Sequence, residues 1–266
     1  MRDRLKQLLA AAWLALLAPA LAAAGAPAHV YSSGFSQACK LGGDLYQTLD
    51  PKYQKGIHPE PINVEPMEAP IIVPVEGADG NKPLRVVKIS AGFIDLMNHI
   101  AHAKAIDKIQ PGYFAQYVQN LARDPGSAAP PEPPNMVDDR YWSDAVMNEQ
   151  ISYFNQMLGM TMAISLSHHY LGHFNKYANQ MLAGKLVPIN SLLAQKEWEE
   201  SVKKATLNSL NCALGTDGVK ALFDAIDEMP QRPAWTAFIV PPGENLKQLN
   251  KTLEDYEVLY FHGGLK

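Results

Sequence analysis

The feature that most limits the fold is a stretch from about Tyr141 to Leu182 that keeps a helical pattern for about forty residues. A helix rises ~1.5 Å per residue, so a segment of this reach spans a small domain and other elements must pack around it. The segment is not expected to stay one straight rod. Gly184 ends it, and Pro188 prevents an early restart.

The flanking sequence supplies what packs against it. Residues 31–50 read as a first helix that stops before Asp50-Pro51, and a proline-rich extended stretch runs from His58 to Pro74. The run Pro70 to Glu76, the turn residues Gly77 to Asn81 and the run Leu84 to Ile89 predict a β-hairpin, whose prolines put its first strand at an edge. From Ser90 the period changes: Phe93, Leu96, Met97, Ile100, Ala101 and Ala103 fall at helical spacing, and that helix runs to about Ile109. Pro111 opens another helix containing Tyr113, Phe114, Tyr117, Val118 and Leu121. Residues 124–138 have no apolar period and read as a proline-rich linker or long surface loop.

Beyond Pro188, Asn190 or Ser191 caps a helix carrying Trp198, Val202, Ala205, Leu207 and Leu210. Thr216 and Asp217 start another, with Val219, Leu222, Phe223 and Ile226 facing inward. Trp235 to Val240 reads as a short strand, and a last helix covers about 243–259. No repeat of 20–50 residues is present. The fold class is therefore mainly α with a small β-hairpin (α+β), in a single α-rich domain over 25–266.

The first 24 residues have a different purpose. Arg2, Arg4 and Lys6 precede an apolar run from Leu8 to Leu21, and small residues suited to signal peptidase follow. That pattern predicts a cleaved signal peptide at 1–24 and a periplasmic or secreted protein. The run is shorter than the ~20 residues of a spanning helix, and no later segment is apolar enough, so no transmembrane segment is expected after cleavage. Removing three bases and one acid leaves 20 bases against 26 acids, a net charge of −6. A chain with that balance and no basic stripe is not expected to bind nucleic acid. Cys39 and Cys212 are the only cysteines, and export predicts a single disulfide between them.

The chemistry-bearing residues gather in one place. His168, His169 and His173 lie in the segment His168-His-Tyr-Leu-Gly-His173. On a continuous helix His169 and His173, four apart, share a face and can reach one metal, whereas His168 points elsewhere. Tyr170, a poor base at neutral pH, follows directly where such sites carry a general base. The alternative reading is a helix whose histidines pack against aromatics or face water. His99 and His102 form a second pair, three apart, which reads better as core-packed or solvated. Glu197, Glu199 and Glu200 form an acidic cluster among Lys196, Lys203 and Lys204, from which one ligand could come. Neither a Gly-x-Ser-x-Gly elbow nor a phosphate-binding glycine loop occurs.

The order of these elements resembles the zinc metallopeptidases of the HtpX/BepA type (CAAX-protease-like, gluzincin-type). There, a strand and helix precede His-Glu-x-x-His followed closely by a Leu-Gly-His sequence. Here the matching pieces are Ser90-Ala-Gly-Phe-Ile-Asp-Leu96, Ser167-His-His-Tyr-Leu-Gly-His173, Glu200-Ser-Val-Lys-Lys-Ala205 and Val219-Lys-Ala-Leu-Phe223. The resemblance covers roughly residues 70–230, with an insertion around 111–145. It implies zinc as cofactor, with His168 as the second histidine ligand and Glu200 as the third ligand. It also places Ile164 at the first histidine, Ser165 at the catalytic glutamate and Val202 at a family aspartate.

Serine cannot replace a glutamate that must take a proton from zinc-bound water. The first expectation is therefore a degenerate, metallopeptidase-like pseudoenzyme that binds a protein or peptide partner in the cell envelope. The alternative is an active zinc hydrolase using a relocated cluster of His168, His169 and His173 with Glu200.

Overall fold

The computed structural model describes residue 31 and residues 34–79, 82–123, 129–180 and 187–265. The expected signal peptide at 1–24, the hairpin tip at 80–81, loop residues 124–128 and the helix-ending Gly184 lie outside the described residues.

Helix α1 (Gly34–Thr48) and the single turn α2 (Pro51–Gln54) lead into three strands, β1 (Ile57–Glu65), β2 (Ile72–Asp79) and β3 (Lys82–Ser90). Helices α3 (Ala91–Asp107), α4 (Tyr113–Arg123), α5 (Asp144–Tyr170) and α6 (His173–Tyr177) follow. The chain closes with α7 (Gln195–Asn211), α8 (Asp217–Glu228) and α9 (Leu246–Phe261). Mainly helical with one small sheet, the fold matches the coarse class read from the sequence.

Strands β2 and β3 form the expected antiparallel hairpin, with β2 at an edge. A third strand was not anticipated. The stretch expected only to be extended supplies β1, which pairs in parallel with β3 and makes β3 central. Its register slips between Ile57 and Ile62. Pro59 and Pro61 lie in that interval and offer no N–H to a ladder, so pairing breaks there. The two prolines, Pro59 and Pro61, hid the strand.

Ser90 converts strand to helix. Its hydroxyl caps α3 by accepting from the Phe93 amide at 3.0 Å and also accepts from the Ile71 amide at 2.9 Å. It donates to the Ala69 carbonyl at 2.6 Å. One side chain thereby serves a helix N-terminus and the loop entering β2. Two residues on, the chain crosses so closely that a Cβ on Gly92 would lie 1.7 Å from the Glu68 carbonyl oxygen.

Helices α3 and α5 pack on each other at the centre, with α7 and α8 against α5 and the sheet against its far end. Apolar residues occur on every side of α3 and of the second half of α5, as fits helices buried all round. The proline-rich loop is no free linker over its described part. The Tyr113 hydroxyl donates to the Pro134 carbonyl, Tyr117 to Pro131 at 3.1 Å, and the Trp142 indole to Met136 at 2.8 Å. Residues 131–136 are thus strapped over α4.

Two expectations are corrected. Residues Ala234–Phe238 form a 3-10 turn, not a strand: Pro233 leads in with φ −60°, and its carbonyl accepts from both the amide and the hydroxyl of Thr236. The Cys39–Cys212 bridge is not formed, and both thiols are free. Cys212 Sγ lies 3.0 Å from the hydroxyl of Thr48, at the C-terminal end of α1. Cys39 sits nine residues earlier on that helix, ~13 Å along the axis, and is exposed. A disulfide needs Cα atoms within about 7 Å. Among the described residues, no helix is long and apolar enough to cross a membrane.

Candidate functional site

The histidine segment does not continue as one helix. Helix α5 ends at Tyr170, and Gly172 takes φ +79°, a left-handed turn that glycine adopts without strain. A new short helix then starts at His173. The i,i+4 relation between His169 and His173 is lost at that turn, and His168 meets His173 instead.

His168 Nδ1 and His173 Nδ1 lie 3.3 Å apart, with ring centroids 5.6 Å apart. The centroid distance is close to the N···N contact plus two ring radii, so the nitrogens point at each other. The other bonds fix the protons. The Asn190 amide donates from Nδ2 to the Phe238 carbonyl at 3.1 Å, which turns Oδ1 toward His168. His168 Nε2–H donates to that oxygen at 3.0 Å, leaving a lone pair on Nδ1. Ser201 uses its hydroxyl proton on the Glu197 carbonyl at 2.9 Å. It accepts from His173 Nδ1, 3.3 Å away. His173 Nδ1–H is therefore shared between Ser201 Oγ and His168 Nδ1. The chain of bonds is complete with both rings neutral. Burial pushes His168 down to about 3, and the neighbouring His173 adds to the drop. Burial also lowers His173, against the pull of Glu197 and Glu200.

His169 turns the other way. Its Nε2–H donates to the Val86 carbonyl on β3 at 2.9 Å, its ring packs on Phe174, and Nδ1 has no hydrogen-bond partner. Burial holds its pKa at about 4.

Zinc, which the resemblance implies, does not fit this arrangement. Zn–N bonds are ~2.0–2.1 Å. An ion bridging two head-on nitrogens 3.3 Å apart would sit off both lone-pair axes. Among the described residues, no group of three or more His, Cys, Asp or Glu side chains is placed to hold a metal. Glu200 is exposed, and its charge reaches His173 and Tyr170.

The remaining predicted residues are equally placed. Glu197 accepts from Lys176 at 2.6 Å, from the Tyr177 hydroxyl at 2.7 Å and from the Ala194 amide at 3.0 Å. Burial raises its carboxyl, but these three donors outweigh it and bring the pKa to about 2. Glu197 is thus a helix cap, forming half of a capping box with Ala194. Glu199 is exposed and takes a hydrogen bond from Gln195 at 3.2 Å. Ile164, Ser165 and Val202 are buried. His99 and His102 are core residues. His102 Nε2–H donates to the Tyr141 carbonyl at 2.7 Å, and its Nδ1 accepts from the Tyr31 hydroxyl at 3.0 Å. His99 is lowered to about 4 by burial first and by His102 second.

No protein-family model matches the chain, and neither does any curated protein or solved structure. The resemblance to the metallopeptidases therefore rests on the motif residues alone.

Sequence reasoning missed Asn190 and Ser201 as partners of the histidines. Nothing in their spacing flags them, since they lie 22 and 28 residues from the rings they contact. It also missed a cleft of about 680 Å³ between the end of α1, α2 and α7. Tyr170, the last residue of the histidine helix, lines it and stacks on Tyr53 at 4.5 Å. Lys204 and Asn211 stand on the α7 side, and Lys52 faces them, paired with Asp50 at 3.2 Å.

Proposed function

We propose that this is an exported cell-envelope protein, metallopeptidase-like in the order of its elements, that binds a protein or peptide partner without hydrolysing it. The observation that carries this reading is the nitrogen-to-nitrogen contact of His168 and His173. The facing nitrogens of His168 and His173 satisfy each other, Asn190 takes up His168 Nε2, and Ser201 shares the proton of His173 Nδ1. Buried Ser165 occupies the position of the base, and it cannot accept a proton from water as a glutamate does.

The cleft beside Tyr170 supplies the binding surface. Its size lies within the ~300–1,000 Å³ range of ligand pockets. Stacked tyrosines offer apolar contact for side chains, and Asn211 and Lys204 offer polar groups for a peptide backbone. Export is supported by the basic start and the apolar run of the first 24 residues.

The test is metal content by elemental mass spectrometry on the mature protein, paired with a peptidase screen. A variant with His168, His169 and His173 changed to Ala, checked for folding by circular dichroism, serves as reference. Little bound metal in either form and no hydrolysis is the expected result. Near-stoichiometric zinc that the variant loses, together with hydrolysis, would overturn the proposal in favour of an active zinc hydrolase.

A further inference from the structure

The strap over α4 is held the way a separate peptide would be held. It runs Ala129-Pro-Pro-Glu-Pro-Pro-Asn135, and its exposure repeats every third residue. Ala129, Glu132 and Asn135 face solvent, whereas the two proline pairs between them are buried or half-buried. Three residues per turn is the period of a polyproline II helix. Prolines have no N–H, and among the described residues no main-chain hydrogen bond reaches 130–134. Side chains do the holding instead. Tyr117 donates to the Pro131 carbonyl at 3.1 Å, Tyr113 to that of Pro134, and the Trp142 indole to that of Met136 at 2.8 Å. Tyr31 packs against the Trp142 ring, with centroids 5.6 Å apart. Aromatic grooves of this kind are how proline-rich peptides are recognised between separate chains.

The strap fits its groove poorly at one residue. Glu132, between the proline pairs, acts on Asp95 of α3, whose carboxyl is raised by burial first and by Glu132 second. Neither carboxylate forms an ion pair among the described residues. Tyr31 is raised by burial first, then by Glu132, Tyr113 and Asp95. A segment with a base in place of Glu132 would attract Asp95 where the strap repels it.

We infer that this groove is a docking site for a proline-rich segment of a partner protein, one that carries a basic residue between two proline pairs. The strap occupies the groove until such a segment displaces it. Tethering gives the strap a high effective concentration, so a partner binds only in proportion to the fraction of molecules with the strap open. The ion pair with Asp95 is what lets the partner segment compete.

The experiment follows the Trp142 indole signal of the mature protein by ¹H–¹⁵N NMR, identified from Trp142→Phe. The probes are the amidated peptide acetyl-Ala-Pro-Pro-Arg-Pro-Pro-Asn, its counterpart with Glu in place of Arg, and a third with every proline changed to alanine. Pro131→Ala/Pro134→Ala loosens the strap and should bind the Arg peptide about tenfold more tightly than the wild type does. The Glu peptide should bind about threefold more weakly than the Arg peptide, a difference that Asp95→Asn removes. The alanine peptide should give no shift. No saturable shift in the loosened variant, equal affinity for the Arg and Glu peptides, or equal shifts with the alanine peptide would each overturn the proposal. Should that variant fail to fold, hydrogen exchange in the wild type decides. The Trp142 indole proton must then exchange through local opening, faster than the buried amides of α3 and α5. Exchange only at the rate of global unfolding would make the strap permanent core and sink the proposal. The groove shares no residue with the tyrosine cleft, so its failure would leave the proposed function standing.

Discussion

The side-chain oxygen of Asn190 lies 3.0 Å from His168 Nε2, and its amide nitrogen donates to the Phe238 carbonyl at 3.1 Å. One side chain thereby ties the end of α5 to the turns before α7 and before α9. It also selects the tautomer of His168, and through it the proton on His173. Asn190→Ala should leave a buried imidazole N–H unpaired and cost about 1–3 kcal/mol in urea unfolding. Asn190→Asp should instead raise the His168 pKa, which ¹⁵N shifts of the imidazole nitrogens report. An alanine variant as stable as the wild type would mean that this bond carries no weight.

Acid should unfold the protein earlier than carboxylate titration alone would. His168, His169 and His99 are held at about 3, 4 and 4, below the ordinary value of 6.5, and His102 and His173 are also lowered. Each ring is neutral when folded and free to protonate when unfolded, so the unfolded chain binds more protons as pH falls below 6.5. Stability is complete above that value and declines toward the folded pKa. One fully suppressed imidazole accounts for about 2 kcal/mol by pH 5. Asp95, Asp224 and Glu244 are raised and act with the opposite sign, but only nearer the carboxylate range. The urea midpoint should drop clearly between pH 7 and pH 5. A flat profile across that interval would show the rings protonating in place.

The two glycines Gly92 and Gly43 should respond in opposite ways to alanine. At Gly92 the new Cβ would lie 1.7 Å from a backbone oxygen, and backbone cannot rotate away as a side chain can. The start of α3 must shift, so Gly92→Ala should cost more than ~2 kcal/mol. At Gly43, within α1, nothing lies within 4 Å of the added atom. There the better helix propensity of alanine should add up to ~1 kcal/mol. Thermal melts of the two variants measure both, and equal effects would contradict the close crossing at Glu68.

The sequence carried the helices because their apolar spacing is local. Phe93, Leu96, Met97 and Ile100 mark α3 whatever surrounds it, and all four are buried. Strand β1 was hidden because its pairing with β3 is non-local and its own prolines break the alternation. The site was misjudged for one physical reason. A positive-φ glycine between Leu171 and His173 resets the helix, so the helical angle between His169 and His173 no longer applies. That Gly172 is visible in the sequence, yet its φ is set by the packing on both sides. Ser201 and Asn190 could be found only once α7 and the turn at 189–191 were placed against α5.

Cys39 and Cys212 should behave as two separate thiols even in protein prepared under oxidising conditions. Cys39 is exposed near the start of α1, so a maleimide reaches it without any opening of the fold. Burial raises the Cys212 thiol, and the contact with Thr48 at 3.0 Å only partly counters it. The thiolate is the reactive form, so Cys212 should be modified much more slowly, at a rate set by local opening where α1 meets α7. Rapid labelling of one site and slow labelling of the other, followed by mass mapping of unreduced protein, tests this directly. If neither site labels and the two peptides remain linked, the ends of α1 and α7 must move by several ångströms to bring the two sulfurs together. The tyrosine cleft, lined by Thr48 and Asn208 on those same two helices, would then have a different shape.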